Sequence, residues 1–152
     1  EMTDKYHIKG DKKFIFRSEL TRLYPYPEFD KENFFPASYK FRLLDKDYTM
    51  ANLNEVTCIV DYSENSMSFN KINQYRTCPK GFAFYRNEMI RLSNNPRYIL
   101  KQNFHYIAES IFAKNSHFIR ESSKPFYTII CLPVGILLYY YLKRTKRKLI
   151  KI

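Results

Sequence analysis

Residues 125–142 read P-F-Y-T-I-I-C-L-P-V-G-I-L-L-Y-Y-Y-L, eighteen consecutive residues without a charge, bounded by Lys124 and Lys143. A helix of this length rises about 27 Å, just short of a hydrocarbon core of about 30 Å. Flanking Lys and Arg side chains can snorkel across the difference. Phe126 and Tyr127 stand at one end and Tyr139, Tyr140 and Tyr141 at the other, where amphipathic rings meet a membrane interface. The stretch is apolar all round, and a small soluble domain can seldom enclose such a helix. Pro133 and Gly135 fall near its middle. Pro133 removes one backbone hydrogen bond, so a kink is expected, and small residues there favour packing against neighbouring helices.

The charge pattern supports the same reading. The chain has 152 residues and a net charge of +11, of which +6 lies in residues 143–152 alone. Lys143, Arg144, Arg147 and Lys148 follow the apolar run directly and are read as anchors to lipid headgroups or to acidic groups of a neighbour. The sixteen residues before the run carry three basic and two acidic side chains. The positive-inside rule therefore places the tail in the cytoplasm, or in the matrix of a mitochondrion, with the rest of the chain opposite. The membrane span is bounded by Pro125 and Leu142.

Working outward, residues 1–37 are expected to form an extended arm with a short helix between Asp11 and Tyr24. Y-P-Y-P-E-F at 24–29 cannot be helical. Residues 38–124 form a small head. Tyr39, Phe41 and Leu43 alternate with polar neighbours and suggest a strand, as does E-V-T-C-I-V-D-Y at 55–62. Gly81–Leu92 suggests a helix stopped by Asn94-Asn95-Pro96. A second helix starts near Arg97, with Leu100, Phe104, Ile107 and Ile111 inward and Lys101, Gln102, Glu109 and Lys114 outward, and breaks near Asn115. Ser123 is the expected N-cap of the apolar helix. The fold expected is an α+β or irregular head followed by one C-terminal transmembrane helix, a single-pass membrane protein.

Nothing in the spacing points to a reaction. Cys58 and Cys78 are twenty residues apart, which fits one disulfide in an oxidising space or two free thiols, and no metal or redox motif. Cys131 sits inside the apolar run. His7, His105 and His117 match no ligand spacing, and no phosphate loop, nucleophile elbow or zinc-protease motif occurs. The reading is a non-enzyme without a cofactor or metal. A structural phospholipid such as cardiolipin is the one small molecule that the tail invites. The basic tail does not interleave with aromatics, so nucleic-acid binding is not expected. Glu1-Met2 starts no apolar leader, which suggests a processed chain, and no Asn-X-Ser/Thr sequon occurs.

Phe, Tyr, Met, Ile, Asn and Lys make up 72 of the 152 residues, with no Trp, which suggests an AT-rich genome. The run F-Y-T-I-I-C-L-P-V-G-I-L-L-Y-Y-Y-L followed by K-R-T-K-R-K resembles the lineage-specific single-span accessory subunits of ciliate mitochondrial respiratory complexes. That resemblance implies a non-catalytic scaffold in the inner membrane, among other subunits and lipid, with head to the intermembrane space and tail to the matrix. A respiratory complex is favoured over ATP synthase. Two other readings are a single-pass adaptor or translocation component and a soluble organellar ribosomal protein.

Overall fold

The computed structural model describes residues 13–49, 51, 55, 56, 58, 59 and 71–145. Among these the regular structure is helical throughout. In chain order the elements are α1 (Ser18–Leu23), α2 (Ser38–Asp47), α3 (Lys71–Thr77), α4 (Pro79–Leu92), α5 (Pro96–Phe112), α6 (Phe118–Glu121) and α7 (Pro125–Arg144).

The α+β expectation is therefore corrected. Tyr39–Leu44 lies in α2 and forms no strand. Its alternation is only six residues long, and a run that short fits either period. The segment instead follows Pro36, whose carbonyl accepts from the Tyr39 N–H in the first turn, and it is rich in Lys, Arg and Leu, which favour helix. Leu43 and Leu44 are buried while Phe41 stacks on Phe16 at 5.0 Å. In the second strand candidate, Glu55, Val56, Cys58 and Ile59 are not in a strand, and the rest lies outside the described residues. Residues 24–36 form no regular element, as the two Tyr-Pro pairs require. The polar stretch from Lys71 becomes α3.

Helix boundaries follow local chemistry. Pro79 and Pro96 each occupy the first turn of a helix, where the missing N–H costs nothing. Asn95 caps α5, its Oδ1 accepting from the N–H groups of Arg97 at 3.0 Å and Tyr98 at 3.3 Å. No residue of α4's own first turn caps it. Glu32 reaches in from the preceding segment, accepting from the N–H groups of Lys80 at 2.8 Å and Gly81 at 2.7 Å. Helix α5 ends with Lys114 at φ 56°. The Asn115 N–H reaches the Ser110 carbonyl at 3.0 Å and the Lys114 N–H reaches Ile111 at 3.1 Å, which is a Schellman stop.

Helix α5 is the centre of the molecule. It packs on α4 along one side and on α7 along another. This explains a second correction. Gln102 and Glu109, expected on the solvent side, are buried, because α5 has neighbours on two faces. The path from Thr128 beside Asn103, through Gly135 beside Ile107, to Tyr139 beside Phe112 shows that α7 runs in the same direction as α5. One apolar cluster joins Tyr75, Cys78, Phe82, Ala108 and Leu142, so the boundary drawn at residue 124 does not part a head from a free helix.

Candidate functional site: an apolar helix held along its length

Helix α7 covers Pro125–Arg144, two residues beyond the span read from the sequence, and continues through Pro133. It is long and apolar enough to cross a membrane by length and composition, with a mean hydropathy of 1.6 and 22% of the apolar window buried within the molecule. Thr128, Cys131, Gly135 and Leu142 are its buried residues, and they recur at the spacing of one helical face. The opposite face carries Phe126 (72% exposed), Ile129, Ile130, Val134, Leu137 (68%), Tyr140 and Tyr141 (63%). A helix buried in a soluble core would hide most of these side chains.

The buried face is tied down at three levels. At the start, Ser122, Thr128 and Asn103 form a buried hydrogen-bonded chain. The Thr128 hydroxyl donates to Asn103 Oδ1 at 2.7 Å, Ser122 Oγ meets Thr128 Oγ1 at 2.6 Å, and the Asn103 amide donates to the Ile99 carbonyl at 2.9 Å. Ser123 is not the cap expected. Its N–H is taken by Asn87 Oδ1 at 2.7 Å, and the Lys124 N–H falls to Ser122 Oγ at 3.2 Å. The Lys124 ammonium donates to the Ser93 carbonyl at the α4–α5 turn, 2.6 Å away.

In the middle, Gly135 meets Ile107 so closely that an added Cβ would lie 2.6 Å from the Ile107 Cβ. Glycine here is a packing requirement, which the sequence reading of Pro133 and Gly135 as a kink pair only half anticipated. At the far end, Arg76 of α3 donates to the carbonyls of Leu142, in the last turn of α7, and Thr145, just past it. Lys143 lies with Nζ 5.6 Å from the centre of the Tyr139 ring, and Lys143 and Arg144 are exposed. Arg147 and Lys148 lie outside the described residues.

Behind α5, Arg86 of α4 reaches Glu109 (3.4 Å, Nε to Oε2) and donates to Gln102 Oε1 at 3.0 Å. Its guanidinium lies over the Tyr85 ring at 5.5 Å and near Tyr75 at 5.9 Å. His105 Nδ1 stands 3.9 Å from Glu109 Oε1. Burial pushes the Glu109 carboxyl up to about 7, although Arg86 pulls the other way. Burial likewise raises the Tyr106 hydroxyl to about 12, and that hydroxyl donates to the Phe118 carbonyl at 2.7 Å.

Cys58, Cys78 and Cys131 are free thiols. Cys78 is buried, with Sγ 3.6 Å from Asn33 Oδ1, and Cys58 is exposed. Among the described residues no three His, Cys, Asp or Glu side chains gather as a metal site. Arg76, Arg86 and the Ser122–Thr128–Asn103 chain were missed by sequence reasoning. Each acts across a long sequence gap and has no local motif. Comparison with protein families, curated proteins and solved structures finds no match to this chain.

Proposed function

We propose that this chain is a non-catalytic structural subunit of a membrane complex and that α7 is its membrane element. The observation that carries the reading is the division of α7. One face is locked to α5, while the rest of an apolar circumference stays uncovered over about 30 Å of helix. Uncovered apolar surface on that scale marks a lipid or protein contact. The polar side chains support a scaffold role, since Asn103, Thr128, Arg76, Arg86 and Glu109 are engaged in joining helices.

The finer assignment extends the resemblance read from the sequence: a mitochondrial inner membrane, an energy-transducing complex of the respiratory type, other subunits as partners, and phospholipid such as cardiolipin near Lys143 and Arg144. In that reading α7 crosses the bilayer with the head towards the intermembrane space and the tail towards the matrix, the orientation expected from the charge asymmetry of the sequence. Alkaline carbonate extraction and native gels after mild detergent test the proposal. The chain should stay with the membrane pellet and co-migrate with a much larger assembly. Release into the supernatant contradicts the membrane element, and migration alone contradicts the subunit.

A further inference from the structure

The close packing of α5 on α7 constrains how α7 can meet a bilayer. Leu100 O lies 4.0 Å from Cys131 Sγ, and Asn103 is bonded to Thr128. Lys101, which is exposed, is therefore level with residues 128–131 of α7, about 5–10 Å along the axis from the middle of the helix. If α7 stood upright across a bilayer of about 30 Å, this ammonium would sit in the hydrocarbon. The Arg86–Glu109 pair would lie deeper still, close to the bilayer middle, since Ile107 packs against Gly135 at mid-helix. Beyond them α2 packs on α4 through Ser38–Tyr85 at 3.0 Å and Tyr39–Phe84 at 6.0 Å, and it exposes Asp45, Lys46 and Asp47.

One side of the molecule is thus apolar along a whole helix and the other side is charged. From this we infer that α7 lies lengthwise in the surface of an anionic bilayer, its Phe126–Tyr141 face among the acyl chains of one leaflet and α2, α4 and α5 in water. The proposal rests on the membrane reading above and replaces only its crossing topology. Lipid is the occupant favoured by charge. The apolar face ends at the exposed Lys143 and Arg144, and the chain carries +11 overall, which suits anionic headgroups.

The chain contains no Trp, so a single Trp reports one position. Full-length variants Phe126→Trp, Leu137→Trp and Tyr141→Trp, all at exposed positions, are bound to vesicles of phosphatidylcholine and cardiolipin. Their depth is read by quenchers placed along the acyl chain. The lengthwise seat predicts one common depth for all three, about 5–10 Å below the headgroups. A deep Leu137→Trp between two shallow end positions overturns the proposal and restores crossing. No quenching at any position, with the protein left unbound, overturns it together with the membrane reading.

Discussion

Gly135 of α7 has no room for a side chain. Its Cα faces Ile107, and an added methyl would sit 2.6 Å from the Ile107 Cβ, closer than packed carbons approach. Gly135→Ala should therefore destabilise the fold by about 1–3 kcal/mol through overpacking, despite the better helix propensity of Ala. Thermal unfolding in detergent checks this. Combining it with Ile107→Ala should cost less than the sum of the two single losses, because the two substitutions act on one contact. Glu109 makes a different residue-scale prediction. Its folded pKa is raised from 4.5 to about 7, so between those values the folded state binds more protons than the unfolded one. Its contribution to stability is present below pH 4.5 and is lost as pH rises through 7, by about 3 kcal/mol. Glu109→Gln removes that dependence. Melts of the two proteins should agree near pH 5 and diverge at pH 8, where the Gln variant is the more stable.

At the scale of elements, helix ends show what a sequence can and cannot disclose. Asn94-Asn95-Pro96 was legible as the stop of α4, and the structure adds that Asn95 and Pro96 also start α5, as a cap and a first-turn proline. The apolar helix was legible too, its signal being a continuous run. The caps of α4 and α7 were not legible. Glu32 and Arg76 arrive from segments about 48 and 66 positions away, and no spacing rule links them to the helices they close. Ser123 looked like a cap and was drawn off by Asn87. The inward face of α5 was read correctly at Ile107 and wrongly at Gln102 and Glu109, because period alone describes a helix with one neighbour and α5 has two. Lys114 closes α5 at φ 56°, where a side chain is strained and glycine is not. Lys114→Gly should stabilise the protein by about 1 kcal/mol in denaturant unfolding, whereas Arg76→Ala should cost about 1–2 kcal/mol by orphaning the last carbonyls of α7.

At the scale of the whole molecule, the uncovered face of α7 is apolar while α2, packed on α4, exposes Asp45, Lys46 and Asp47. The sequence disclosed apolar surface and charge, as an uncharged run and a basic tail, but treated them as successive domains. The fold lays the run against α5, so the membrane element and the head are one body. Near an anionic surface each cation contributes about 1 kcal/mol before screening. Replacing Lys143, Arg144, Arg147 and Lys148 together by Gln should therefore weaken binding to cardiolipin vesicles at least tenfold, with the difference shrinking in high salt. The most direct test of the central claim is flotation of the full chain with such vesicles, beside an Ile130→Asp/Leu137→Asp variant whose helical circular dichroism matches the parent. The account predicts that the parent floats with the lipid and that the variant stays at the bottom of the gradient. A parent that remains at the bottom, or a variant that floats as well as the parent, would contradict the claim that the uncovered face of α7 meets lipid.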